Sequence, residues 1–443
     1  MSSEHCDGLI VRHRFKETSM AKSGQPNKPN NPPAPAETHE TLSINRRSLL
    51  AGTVGMVGAM MMRTAAQSAE VVVPAVPDDA TRVPGAAPTA YGQRSPFEQA
   101  VRVPRSWWAS LTPLQASHGM LTPSALHFER HHNGVPVIHP TAHRLMIHGL
   151  VERPWVFTLD ELQRFPSVSR LAFIECSGNS AIEWRAPTGQ TVQQTHGLTS
   201  TSEWTGVALK TVLGALGVNP DASWVLAEGG DAAAMTRSLP LAPLLEEALL
   251  CYAQNGEPLR PEQGYPLRLL VPGWEGNTCI KWLRRLKLGT APFMTREETS
   301  QYTDLMPDGT ARQFTMVMEA KSVITSPSGG QRIHPGSIEI SGLAWSGRGR
   351  VAQVEVSTDG GRSWQEAVLQ DPILPKCHTR FRLPWRWNGH EAIVQSRCRD
   401  ETGYRQPSRM ELIAVRGVNS VYHYNAIQSW QIAADGQVTN VHA

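Results

Sequence analysis

The sequence predicts an α+β protein: a mixed α/β domain over residues 126–315, then an antiparallel, immunoglobulin-like β-sandwich over 316–424. Three observations lead there. At 443 residues the chain is long for a single core, so two domains are expected. From Leu126 to about Thr315 short apolar strands alternate with helical periods, at Leu159–Phe165, Ala208–Leu216 and Pro243–Tyr252. From Val317 onward the texture changes to short alternating runs separated by turn residues such as Asp359-Gly360-Gly361, the pattern of a sandwich.

In chain order, residues 1–69 read as a leader. Polar, Pro-rich residues 21–40 have the composition of disorder, and Met20 is an alternative start. Asn45-Arg46-Arg47-Ser48-Leu49-Leu50 is a twin-arginine signal, read by a pathway that exports folded proteins, so any bound group is acquired before export to the periplasm. The Gly-rich apolar stretch Leu49–Met62 falls short of the roughly 20 residues that cross a bilayer and reads as a signal core, with cleavage candidates at Ala65, Ala66 and Ala69. A Pro-rich segment occupies 70–125. The expected sandwich strands are Ser337–Leu343, Val351–Ser357, Trp364–Leu369, Phe381–Pro384, Ala392–Cys398 and Met410–Val415. Residues 425–443 read as a C-terminal arm lying on another surface.

Charge and cysteine content narrow the function classes. Of 42 Lys/Arg and 39 Asp/Glu, eight and five fall in residues 1–66, leaving 34 of each in the exported part. A formally neutral protein has no basic surplus to hold nucleic acid or an anionic membrane. Six cysteines, of which Cys6 lies outside the exported part, do not make a small disulfide scaffold. Five remain, so at least one thiol is free or metal-bound; Cys377 and Cys398 are candidates for a bridge between neighbouring strands.

Three elements carry chemistry. Phe128-Glu129-Arg130-His131-His132, followed by Gly134-Val135-Pro136, sets a guanidinium and imidazoles beside a turn, which suits phosphate or a sulfur oxyanion. A solvated basic loop and a zinc site on His127, His131 and His132 are the other readings. Cys176-Ser177-Gly178-Asn179 follows the apolar run Leu171-Ala172-Phe173-Ile174, presenting sulfur at the end of a strand. A soft thiolate there suits molybdenum, copper or iron, whereas a packed core thiol and a catalytic nucleophile are the alternatives. Last, Glu228-Gly229-Gly230-Asp231, Asn255-Gly256-Glu257-Pro258-Leu259, Gly264 to Gly273 and Cys279-Ile280-Lys281-Trp282-Leu283 bracket a buried strand and bring Arg268 and Lys281 to one region. Two cations beside Gly-rich backbone suit a dianionic phosphate.

On these motifs, with Phe165-Pro166-Ser167-Val168-Ser169-Arg170, Ser202-Glu203-Trp204-Thr205-Gly206 and Lys281-Trp282-Leu283-Arg284-Arg285, the chain resembles the sulfite oxidase family of molybdopterin enzymes, and within it the sulfane-oxidising branch. The likeness runs from about Phe128 to Tyr302, with the family's dimerisation domain from about Val317 to Tyr424. It implies a molybdenum–molybdopterin cofactor with Cys176 as the metal ligand. Phe128, Arg130 and His132 fall on the pterin-binding turn and Asp231 on a pterin contact; Arg268 and Lys281 fall on phosphate contacts, with Cys279 and Ile280 lending backbone. Tyr302 falls on the active-site tyrosine, and Arg416 on an arginine sent by the second domain into the substrate pocket.

The chain departs from the family pattern at Ala181, in place of an arginine; at Gln194, in place of a pocket tryptophan; and at Gln263, in place of a cofactor-contacting histidine. A wider, less cationic pocket is expected, favouring sulfane sulfur on a carrier protein over free sulfite. The sequence has no Cys-x-x-Cys-His for haem attachment, so electrons need a separate acceptor. The resemblance implies a dihaem cytochrome c subunit carrying haem c, with the C-terminal arm as a candidate contact. It also implies a homodimer paired through the sandwich, as the core of a heterotetramer.

Overall fold

The computed structural model describes residues 83–187 and 190–443. The leader, its twin-arginine run and the cleavage candidates lie outside the described residues, as do Cys6 and the first part of the Pro-rich segment.

Two five-stranded sheets build the first domain. One runs in the order Glu257–Pro258, Leu249–Gln254, Thr199–Ala208, Ser167–Glu175, with Arg268–Leu270 also paired to Leu249–Gln254, all antiparallel. The other runs Trp155–Phe157, Leu145–Gly149, Leu283–Gly289, Trp224–Gly229, Thr236–Pro240, and is parallel only where Leu145–Gly149 meets Leu283–Gly289. The helix Leu209–Leu216 packs on this core through Leu209, Val212, Leu213 and Leu216, the spacing of one helical face, and ends at Gly217 with φ +72°. The helix expected over Pro243–Tyr252 occupies Leu241–Glu247 instead, and Leu249–Gln254 is a strand. Leu249, Leu250 and Cys251 lie between two neighbouring strands and are fully buried, so they show no alternation to read as a strand.

The second domain is the expected sandwich. One sheet orders Lys321–Ser326, Gly336–Trp345, Thr379–Trp387 and Val368–Leu369; the other orders Gln365–Glu366, Val351–Ser357, Ala392–Asp400, Ser429–Ile432 and Val438–Val441. Their inner faces share one apolar core around Trp345, Phe381 and Trp430. That core also takes in Leu114, Phe173 and Val192 from the first domain, so the two domains meet through apolar packing.

Three expectations are corrected, and the Pro-rich segment gains detail. Residues 425–443, expected as an arm lying on another surface, belong to the sandwich: Ser429–Ile432 and Val438–Val441 form a hairpin that extends it beside Ala392–Asp400. Met410–Val415 lies in a helix, Arg409–Arg416, because Ser408 and Glu411 close a reciprocal capping box that a strand could not use. Cys377 and Cys398 are both free and buried. The Pro-rich segment contains strands Val103–Arg105 and Ala109–Leu111, the second of which pairs with Glu129–Arg130. No described helix is long and apolar enough to cross a membrane.

Candidate functional site

The strand Ser167–Glu175 changes from exposed at its start to buried at its end, and so delivers Cys176 into the interior. There the Cys176 amide donates to Leu198 O at 3.0 Å, and the Asn179 amide closes a turn on Cys176 O at 2.8 Å. The 128–132 turn is placed by the pairing of Arg130 with Ala109 and by the His131 amide donating to Trp108 O at 2.7 Å. The Arg130 guanidinium lies 5.3 Å from the Trp108 ring centre. Arg268 is fixed by its pairing with Cys251, and Gly264 (φ +106°) turns the chain so tightly that a Cβ there would stand 3.0 Å from Lys281 Cβ.

These segments line one pocket that is partly open to solvent. Phe128, Arg130, His132, Cys176, Asp231, Arg268, Cys279, Ile280, Lys281 and Tyr302 all line it. Gln263 does too, donating Nε2–H to Phe128 O at 2.8 Å. His127, which sequence reasoning considered only as a zinc ligand, and Asn277, to which it gave no role, also line the wall. Asn277 follows Gly276, where a Cβ would stand 2.8 Å from Glu175 O; that close approach to the Cys176 strand is the signal that could have found it. Gln194, expected in the pocket wall, is exposed, and its side chain caps the helix Val192–His196 at Thr191.

The lining has a consistent electrostatic character. Arg268 is buried, and its guanidinium donates to Gln263 O at 2.9 Å and Cys279 O at 3.2 Å, with Nε unpaired. Lys281 Nζ donates to Arg130 O at 3.0 Å and Glu262 O at 3.1 Å and meets His131 Nδ1 at 2.7 Å. Burial, and then the Arg268 charge, push the Lys281 pKa well below its ordinary value. Burial likewise raises the Cys176 thiol, against the pull of Arg130. His132 is pushed down to about 3, by burial first and Arg130 second, and shares a 2.7 Å hydrogen bond with the Tyr302 hydroxyl.

Arg416 stands apart. It is buried in ion pairs with Asp304 (2.9 Å) and Glu319 (3.2 Å) and is not among the cavity-lining residues, which corrects its expected reach into the pocket. Glu319 continues to His423 at 3.2 Å, which meets Glu275 at 2.8 Å; Glu275 meets Arg237 at 3.2 Å, and Arg237 meets Glu298 at 2.7 Å. Although burial opposes it, hydrogen bonds to Glu275 and Glu319 raise His423 from 6.5 to about 9. A raised histidine contributes stability that is fully present below about pH 6.5 and lost as pH rises through about 9. Thermal melts across that window should fall toward the alkaline end, and His423→Gln should flatten the fall.

The rival chemistries fare poorly. His127 Nδ1 bonds Phe128 O, His131 bonds Glu129 and Lys281, and His132 bonds Tyr302, so the three imidazoles do not converge; no group of three or more potential metal ligands occurs among the described residues. A thiol raised by burial, with no histidine hydrogen-bonded to it among the described residues, is not an activated nucleophile. Nor is Cys176 sealed in a core, since it lines the cavity.

Known proteins resemble this chain along most of its described length. Residues 132–297 match the oxidoreductase molybdopterin binding domain and residues 312–430 the Mo-co oxidoreductase dimerisation domain. The crystal structure of the sulfane dehydrogenase SoxCD from Paracoccus pantotrophus superposes with a TM-score of 0.80 at 46% identity, over 82% of this chain and 96% of that one. This chain belongs to the sulfite oxidase family of molybdopterin enzymes. Within the family, rat mitochondrial sulfite oxidase is 30% identical over 70% of this chain and 60% of its own length. Barley NADH nitrate reductase is 33% identical over 61% of this chain and 33% of its own length. The chain thus spans about 60% or less of those two relatives.

The residues present fit the family's cofactor. Arg268, buried, and Lys281, half-buried, have no carboxylate within ion-pair distance among the described residues, and Arg268 Nε and His127 Nε2 are orphaned on the cavity wall. A phosphate would supply the missing negative charge and acceptors. Of the two cysteines that line this cavity, Cys279 has its sulfur engaged with the Val271 backbone at 3.3 Å, which leaves the Cys176 sulfur as the soft ligand for a metal.

Proposed function

We propose that this chain oxidises sulfane sulfur held on a carrier protein, in the periplasm after export by the twin-arginine pathway, and passes electrons to a dihaem cytochrome c subunit. The reading is carried by the 46% identity to a sulfane dehydrogenase, against 30% and 33% to the sulfite oxidase and nitrate reductase named above. The pocket supports it. Ala181 brings no charge, and Arg416 is engaged by two carboxylates, so Arg130 is the guanidinium left beside Cys176. A small free dianion binds poorly where its charge is not matched, whereas a carrier contributes binding energy away from the reacting atom.

When bound, the molybdenum cofactor supplies oxygen-atom transfer to sulfur and accepts two electrons. Cys176 would hold the metal, and Arg268 and Lys281 the phosphate of the pterin. Phe128, His132 and Asp231 would contact the pterin, and the backbone of Cys279 and Ile280 would border it. Arg130 would orient the oxidised sulfur group through charge-assisted hydrogen bonds. Tyr302, kept protonated by burial, would donate its hydroxyl hydrogen into the pocket with neutral His132 as its partner. With no haem motif in the sequence, electron exit needs the separate cytochrome. Pairing of two chains through the sandwich would make the homodimeric core of a heterotetramer.

The test compares reduction of cytochrome c by purified enzyme with a carrier-bound sulfane and with free sulfite. The carrier-bound substrate is expected to have the higher kcat/KM. Fast turnover of free sulfite with no gain from the carrier would instead make the chain an ordinary sulfite dehydrogenase. Metal and pterin analysis of protein from a cofactor-making host should find molybdenum, and zinc without pterin would reject the scheme.

A further inference from the structure

The residue before Cys176 is Glu175, a carboxylate with no exposure to water. Its Oε1 accepts from Asn179 Nδ2 at 2.9 Å and from Lys321 Nζ at 3.0 Å, and its Oε2 accepts from Trp345 Nε1 at 2.7 Å. Lys321 and Trp345 belong to the second domain, where they face each other across the strands Lys321–Ser326 and Gly336–Trp345. Lys321 Nζ also donates to Ser180 Oγ at 3.0 Å, and Ser180 is held at φ +66°, in the left-handed region. Between the two ends, Asn179 Oδ1 accepts from the Leu198 amide at 3.1 Å. The Cys176 turn is therefore tied before and after the sulfur to one ammonium group from the sandwich.

A buried ion pair is a poor device for stability alone, because apolar side chains of similar size commonly serve as well. What this pair adds is directional constraint on the turn that carries the thiol. We propose that Lys321, acting through Glu175 and Ser180, is a positioning residue that lets the second domain fix the orientation of the Cys176 sulfur. This rests on the reading of Cys176 as the molybdenum ligand. The second domain then has a role at the metal besides pairing chains. Groups that orient a metal ligand are commonly worth about 10- to 100-fold in affinity or activity.

The experiment compares wild type with Lys321→Met and with Lys321→Met/Glu175→Gln. The single variant leaves a carboxylate buried without its cation and is prone to misfolding; the double variant removes that charge as well, so it keeps the test open. In the double variant we expect a normal circular dichroism spectrum, an altered Mo(V) electron paramagnetic resonance signal, and kcat reduced about 10-fold or more with KM little changed. In cofactor-free protein, N-ethylmaleimide should label Cys176 several-fold faster than in wild type, read by peptide mass mapping. A folded double variant with the wild-type resonance signal, kcat and labelling rate overturns the proposal. Wild-type protein that never carries molybdenum would reject the cofactor reading, and the labelling comparison alone would then decide whether Lys321 holds the turn.

Discussion

Cys176→Ser is expected to abolish turnover while leaving the fold standing. The hydroxyl is hard, mostly protonated and a poor ligand for a metal that prefers sulfur, so the loss should exceed the roughly 10- to 100-fold that removal of an outer-shell partner costs. Folding is affected little because the Cys176 backbone, not its sulfur, makes the hydrogen bonds to Leu198 and Asn179 that set the turn. A stability change below about 1 kcal/mol fits a substitution that keeps those backbone bonds and leaves an oxygen to accept from the Gly178 amide in place of the sulfur. Molybdenum content, turnover and melting temperature measured on one preparation check all three. A serine variant that turns over at the wild-type rate would remove Cys176 from the metal. A variant that fails to fold would mean that the thiol has a packing role that the cavity wall does not suggest.

Much of the site was legible because local chemistry sets it. A thiol placed directly after an apolar run and before Ser-Gly-Asn has to emerge where a buried strand ends, and Cys176 does. Arg268 and Lys281 could be read as converging because Gly and Pro bracket the strand between them, and Gly264 is indeed the tight turn that brings them close. Resemblance, not local pattern, singled out Tyr302, and it reached the cavity.

Features decided by distant partners were not legible. Lys321, in the second domain, gives no sign in the sequence that it meets Glu175. Leu249–Gln254 was hidden by burial on both sides, which erases the alternation that marks a strand. The C-terminal hairpin looked like a polar arm, yet Asn440 and His442 reach Glu183 at 2.8 and 3.3 Å and tie the chain end to the first domain.

Arg416 is the residue whose expected role changed most, and its replacement should mainly affect stability, not substrate affinity. Arg416→Ala would leave Asp304 and Glu319 buried without their shared cation. Breaking a buried pair by removing one partner typically costs about 3–5 kcal/mol, because the surviving charge is stranded away from water. Asp304 retains a 2.8 Å hydrogen bond from Ser420, and Glu319 retains protonated His423, so partial compensation places the loss toward the lower end of that range. A melting temperature well below wild type, with KM for the sulfur substrate nearly unchanged in the molecules that fold, is the expected pairing of results. Arg416→Lys should recover little, since one ammonium cannot span two carboxylates as the guanidinium fork does. If Arg416→Ala instead melts with the wild type while KM rises steeply, the guanidinium leaves its carboxylates when substrate arrives, and the pocket would regain the second cation that the ion pairs now withhold from it.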